Sequence, residues 1–334
     1  MKKHILTFLF LILILTGCSS KNYSNGNLNV LNWSSYIPDS IIKDFEQEYN
    51  IKVNYGTYSS NEELLAKITS SKEGTYDLIF PSDYMVELMI NKNIIQKIDK
   101  SKINNIYNLN NLFLDQGYDP NNKYSLPFLA TTVVIAINRD NIQDKITGYS
   151  DLLNPKYKNN IVLLDDQRII IGLALQTLGY SQSETDPQKL KEAKIWLLKL
   201  KNNIKAFDSD SPKTFLITGE ADIGIMWSAE AELAKAENPH IEIIHPEEGY
   251  AISVDNYALV SGAKNTTNAY LFINYLLKDN ISEKIVSEYP YISPNYNVNK
   301  IPYYSLKNIL SKGSYIKNIG ANITLYDKLW AEIK

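Results

Sequence analysis

Thiol chemistry is almost missing from this chain: its 334 residues contain one cysteine, Cys18. A lone thiol excludes an internal disulfide, a cysteine-rich metal site and a dithiol redox pair. Histidine is nearly as scarce, at three residues, and His4 lies in the N-terminal segment. His240 and His245 flank one short apolar run, a pattern that fits solvated strand ends better than a metal site. Also missing are the G-x-S-x-G elbow, the Walker loop, the G-x-G-x-x-G turn and the H-E-x-x-H pair. Asp208-Ser209-Asp210 begins like a calcium loop but lacks its glycine and distal glutamate, so it reads as a turn. Asp165 and Asp166 are adjacent, and neighbours on an extended segment point opposite ways, which argues against an acid/base pair on one substrate atom. Nor is there an excess of one charge. With 37 acidic and 34 basic side chains the net charge is −3, so no global field recruits nucleic acid. These absences point away from an enzyme, a cofactor and a metal.

The N-terminus carries more information. Lys2 and Lys3 precede an apolar segment from Ile5 to Leu15, too short to span a bilayer as a helix. That is the layout of a secretory signal. It closes on Leu15-Thr16-Gly17-Cys18, which resembles the bacterial lipobox, where processing leaves a lipid-modified cysteine first. Residues 1–17 are therefore expected to be a lipoprotein signal peptide and 18–27 a polar tether. Cys18 is the expected lipidation site. The protein is expected in the periplasm, anchored to a membrane at the outer leaflet of the cytoplasmic membrane.

A 44% hydrophobic share and a 21% charged share describe an ordinary globular chain, long enough for about two domains. Leu28 to Ile42, LNVLNWSSYIPDSII, sets the pattern: a short apolar strand, a turn with Trp33 and Tyr36 beside serines, then a helix opened by Pro38. Ile51 to Tyr55 alternates as a strand, Asn61 can cap the helix of Leu64, Leu65 and Ile68, and Asp77 to Phe80 is another short strand. Ser82, Asp83 and Tyr84 follow that strand directly. This β-α-β-α-β order argues for a parallel, doubly wound sheet. Ile98 to Lys123 is Asn-rich with a weak pattern. Thr131 to Asn138, TTVVIAIN, is strongly β-like, and a second alternation follows it through Trp227 and Ile244. Ala251 to Val260 is again β-like, interrupted by Asp255, a charge that is costly there unless paired or facing a cleft. Two α/β lobes joined by strands near 131–134 and 253–255 make a hinged pair with a cleft.

In an open α/β sheet, ligands sit beyond the carboxyl ends of strands. The side chains at such positions are Trp33, Tyr36, Tyr84, Asp166, Trp227, Glu230 and Asp255. Ring faces attract cations and carboxylates satisfy ammonium protons. A cleft of this composition suits a small organic polycation.

The chain resembles the spermidine/putrescine-binding proteins of bacterial ABC importers along nearly its whole mature length. The resemblance is carried by Asn32-Trp33-Ser34-Ser35-Tyr36, Tyr58-Ser59-Ser60-Asn61-Glu62 and Tyr76-Asp77-Leu78-Ile79-Phe80-Pro81-Ser82. It continues through Ile95 to Lys102, Leu164-Asp165-Asp166-Gln167-Arg168, Ile225-Met226-Trp227, Pro246-Glu247-Glu248-Gly249 and Ser293-Pro294-Asn295. It implies a two-lobed periplasmic binding fold of type II-like topology with two strand crossings at the hinge. The lobes are expected at 28–131 plus 255–299 and at 132–254 plus 300–334. It also implies that Trp33, Tyr36, Ser82, Tyr84, Asp166, Trp227, Asp255 and Tyr291 line the cleft. Ser34, Asp83 and Glu230 complete the candidate set. Three departures stand out: Ile169 replaces a glutamate, Ser253 a tryptophan and Ile316 a glutamine of spermidine-binding relatives. Glu230 matches an aspartate of putrescine-preferring relatives, although Ser35 stands where those carry another aspartate. The implied partners are a polyamine, with a lean to putrescine, and a membrane-embedded ABC permease; a monomer is expected. Two alternatives remain at this stage: the same fold with another organic cation, and a surface-interaction lipoprotein without a transport role.

Overall fold

Strand β1 (Asn27–Trp33) buries Leu28, Val30 and Leu31 and forms the spine of a parallel sheet. The computed structural model describes residues 23–34, 36–209, 211–298 and 303–334. Cys18 and the expected signal segment lie outside them. On one side β1 pairs in parallel with β2 (Lys52–Tyr58), from Asn27↔Lys52 to Trp33↔Tyr58; on the other it pairs with β3 (Leu78–Ile79). Trp33 is thus the last residue of its strand. Helix α1 (Asp39–Tyr49) crosses over with Ile41, Ile42 and Phe45 buried. In α2 (Asn61–Ser70) the cap is Ser60, whose hydroxyl accepts the Glu63 N–H at 3.1 Å. Asn61, expected as the cap, starts the helix instead, and its Oδ1 accepts the Ser82 N–H at 3.2 Å. Helix α3 (Asp83–Asn91) and the short β4 (Ile95–Gln96) follow.

The weakly patterned stretch after β4 folds as short 3-10 turns. The buried Asp119 carboxylate accepts the N–H groups of Lys123, Tyr124 and Ser125 at 2.7–3.0 Å, together with the Ser125 hydroxyl. These bonds launch β5 (Ser125–Asn138), which is buried along its whole length. A second alternation then builds β6 (Ile161–Leu163), α4 (Gln167–Thr177), α5 (Pro187–Leu200), β7 (Ile204–Phe207), α6 (Lys213–Ile217), β8 (Ile223–Trp227), α7 (Ser228–Glu237) and β9 (Ile241–Ile244). The long β10 (Tyr250–Val260) returns the chain, and α8 (Thr266–Leu276) and α9 (Asp279–Glu288) cover the first sheet half. After α10 (Tyr303–Lys312) and β11 (Gly313–Tyr315), α11 (Ile323–Ile333) packs Tyr326, Leu329 and Ile333 into the second core.

The two halves share one strand order although the sequence contains no repeat. Parallel β2-β1-β3 is completed by antiparallel β10, and parallel β7-β6-β8 by antiparallel β5. Each half therefore receives a strand from the chain on its way to or from the other. Strands β5 and β10 also pair with each other, from Ile252↔Thr132 to Ala258↔Ser125, with a register shift at Asp255/Asn256. Pro127, which has no N–H to donate, sits beside that shift, where a ladder tolerates it. Separate apolar cores form around Phe45, Phe80 and Phe272 and around Tyr149, Trp196 and Tyr326.

Candidate ligand-binding site

Asp255 lies where the β5–β10 ladder shifts, a place where a bulge re-aims side chains. Its carboxylate is 4% exposed, accepting the Ser82 hydroxyl on Oδ1 at 2.6 Å and the Tyr36 hydroxyl on Oδ2 at 2.8 Å. Burial pushes its pKa up to about 6, against the lowering effect of these hydrogen bonds. An ionised carboxylate offers about four lone-pair sites, so acceptor capacity remains for a cation. The sequence places the two donors for a reason. Ser82 follows β3 and precedes α3, and Tyr36 sits in the turn after β1.

The Tyr36 ring packs on Tyr291 with centroids 4.6 Å apart and on Trp33 at 6.1 Å. Trp33 meets Tyr58 at 4.7 Å. One carbonyl pins this wall: Phe80 O accepts Trp33 Nε1 at 3.0 Å and the Tyr58 hydroxyl at 2.6 Å. Tyr58 was not foreseen. Its signal was its place at the end of β2, in register with Trp33. Burial holds the hydroxyls of Tyr36, Tyr58 and Tyr291 above the usual tyrosine range, so all three are neutral donors.

From the second half, Asp166 caps α4, its Oδ1 accepting the N–H groups of Arg168 at 2.8 Å and Ile169 at 3.1 Å. Burial raises its pKa. Asp165 is exposed and forms an ion pair with Lys334, so the two neighbouring carboxylates do diverge. Trp227 ends β8 and packs on the second core, while Glu230, in the first turn of α7, pairs with Lys213 Nζ at 3.1 Å. The Tyr84 hydroxyl donates to Glu62 Oε1 at 3.2 Å. Its ring lies 5.9 Å from the Arg168 guanidinium, which also lies 5.3 Å from Tyr326 and donates to Lys317 O at 2.7 Å. Arg168, another residue not foreseen, thereby joins the two halves.

Trp33, Tyr36, Ser82, Asp255 and Tyr291 are thus brought into one cluster. Two candidates stand apart. Asp83 is fully buried, with burial pushing its pKa well up, and its Oδ2 has no hydrogen-bond partner; Ser34 is exposed. Ile169, Ser253 and Ile316 are all buried. At the crossing, Thr131 Oγ1 lies 3.1 Å from Ser228 Oγ, and Thr132 Oγ1 lies 3.2 Å from His245 Nε2. His240 pairs with Asp140 at 2.5 Å. Among the described residues no cluster of His, Cys, Asp and Glu could hold a metal ion.

Residues 40–308 match the bacterial extracellular solute-binding proteins. The chain belongs to that family. This solute-binding protein is 36% identical over 320 residues to the spermidine/putrescine-binding periplasmic protein of Salmonella typhimurium, covering 93% of this chain and 92% of the other. The solved Tp0655 (TpPotD) lipoprotein of Treponema pallidum superimposes with a TM-score of 0.85 at 30% identity, covering 92% of this chain and 99% of that one. The PotD substrate-binding protein of Streptococcus pneumoniae gives 0.83 at 31%, covering 92% and 98%. The fold is therefore the two-lobed α/β architecture of periplasmic binding proteins, with the two strand crossings expected from the sequence. The family places the protein outside the cytoplasm and makes it a binding protein rather than an enzyme. Among the described residues no helix is long and apolar enough to cross a membrane.

Proposed function

We propose that this protein captures a polyamine between its lobes and delivers it to a membrane-embedded ABC permease, held to the membrane by a lipid on Cys18. The observation that carries the reading is the buried Asp255 carboxylate, fixed by Ser82 and Tyr36 at the end of an aromatic wall of Trp33, Tyr36 and Tyr291. A desolvated carboxylate beside ring faces is the environment an alkylammonium requires. The lobes in this reading are 28–131 plus 255–299 and 132–254 plus 300–334. Asp166, Trp227 and Glu230 face the ligand from the second lobe, with Ser82 and Tyr84 beside it in the first. The spermidine/putrescine-binding relatives support the substrate class, and the Treponema lipoprotein supports the anchor. With a glutamate of spermidine-binding relatives replaced by Ile169, and Glu230 at the position of an aspartate in putrescine-preferring ones, the preferred ligand is putrescine.

A thermal-shift titration against putrescine, spermidine, spermine and lysine tests this. Ligand at a hundredfold excess over Kd stabilises by about 2.7 kcal/mol. At roughly 2–4 °C per kcal/mol, the melting temperature should rise by several degrees with a polyamine and not with lysine. No shift with any polyamine would overturn the reading.

A further inference from the structure

Glu230 already has a cation. Lys213, the first residue of α6, holds its Nζ 3.1 Å from Oε2, and both side chains retain only about a quarter of their exposure (23% and 24%). The pair belongs to the edge of the candidate site rather than to open surface. Glu230 stands three residues after Trp227. It also lies near enough to Tyr291 to help raise its hydroxyl pKa, behind burial and beside Asp255. Tyr291 packs on Tyr36, which binds Asp255, so the Glu230 charge reaches the wall on which Asp255 is held. The other two acids of the proposed cleft are arranged differently. Asp255 is held by hydroxyls and Asp166 by backbone N–H groups, and among the described residues neither forms an ion pair with Lys or Arg. A lysine side chain is itself a four-carbon alkylammonium, carrying the same end group as the proposed ligand.

We propose that Lys213 is a specificity-determining residue: by neutralising Glu230 it leaves Asp166 and Asp255 as the two cleft carboxylates without an ion-pair partner, matching the site to a dication over a trication. This rests on the polyamine reading above. Specificity here is negative as well as positive. A third ammonium meets a carboxylate whose charge is already spent, and must displace Lys213 to use it. Among the described residues Arg168 makes no ion pair in this cleft: it is held by two tyrosine faces and the Lys317 carbonyl, its Nε has no hydrogen-bond partner, and its charge acts on Asp166 only from beyond contact.

Calorimetric titration of the mature chain with putrescine and spermidine tests the assignment in Lys213→Met, Lys213→Arg, Glu230→Gln and the Lys213→Met/Glu230→Gln double variant. Lys213→Met should shift the affinity ratio toward spermidine by about tenfold, the scale of one freed charge pair in a partly desolvated site. Lys213→Arg, which restores the cation, should keep the original ratio. In the Glu230→Gln background the Lys213 substitution should leave the ratio unchanged, because the residue acts through that carboxylate. A ratio unmoved by Lys213→Met, or moved equally without Glu230, would overturn the role of Lys213 while polyamine binding stands. Binding of neither amine by any form would overturn the polyamine reading and this inference with it.

Discussion

At the scale of a single residue, Asp255 decides how the site responds to pH. Its pKa of about 6 in the fold lies above the ordinary carboxylate value, so the native state holds this proton more tightly than the unfolded chain. The group therefore favours the fold most at pH below about 4, and that contribution is lost as pH rises through about 6. At neutral pH the ionised, ligand-free site costs on the order of 3 kcal/mol, which an arriving ammonium offsets. Polyamine affinity should accordingly be flat above pH 7 and weaken as pH falls below about 6, with the slope abolished in Asp255→Asn. Calorimetry across that range reads both. At pH 7.5 the same substitution should cost about 2–5 kcal/mol of binding by leaving an ammonium poorly paired. Trp33→Ala should cost roughly 1–2 kcal/mol if the ring faces a cation. The strand-end position of Trp33 is legible in the sequence; Asp255, expected at a strand end too, lies inside β10 at the register shift, where its charge within a β-like run is the signal. Lys213 and Arg168 were not, because each finds its partner across the fold and leaves no local spacing to read.

At the scale of the element, a buried carboxylate holds the first sheet half to its covering helix. Asp77, fully buried before β3, accepts the N–H and side-chain amide of Asn29 in β1 and the backbone N–H groups of Lys264 and Asn265, with the Asn265 amide as a fifth donor. All five distances are 2.9–3.0 Å. Asp77→Ala would strand these donors at once and should lower stability by about 3 kcal/mol or more, read as a reduced urea midpoint. Asp186 before Pro187 announced its helix correctly, since cap and proline agree there. The start of β5 was hidden for the opposite reason. Pro127 breaks the pattern of the run, and only its position at the register shift explains how the strand begins at Ser125. Helix α10 carries Leu306, Ile309 and Leu310 at helical spacing, a signal that was there to be read, whereas the three residues of β11 are too few to show a pattern. The turns before β5 are ordered by Asp119, whose role is invisible in an Asn-rich sequence.

At the scale of the molecule, the crossing of β5 and β10 is the part of the fold most legible beforehand, because two long β-like runs stand out from short ones. The shared strand order of the halves was not legible, since it is a likeness of topology without a likeness of residues. Arg168, set between Tyr84 and Tyr326, is a contact that depends on how the halves face each other. Ligand binding across the proposed lobes should shift the population toward closure. Saturating putrescine should therefore reduce the radius of gyration in small-angle X-ray scattering. Arg168→Ala should enlarge it in the ligand-free state. Equal scattering in all these samples would remove closure from the mechanism.

The exchange of strands also constrains how the protein comes into being. Because β10 sits between β3 and β5, the first half cannot complete its sheet until residues 250–260 are available. A chain emerging from a translocation pore N-terminus first must therefore wait with an unpaired sheet edge, a surface prone to pairing with other chains. The strands β7, β6, β8 and β5 of the second half are all present by residue 227, so the half made later can close its sheet before the half made first.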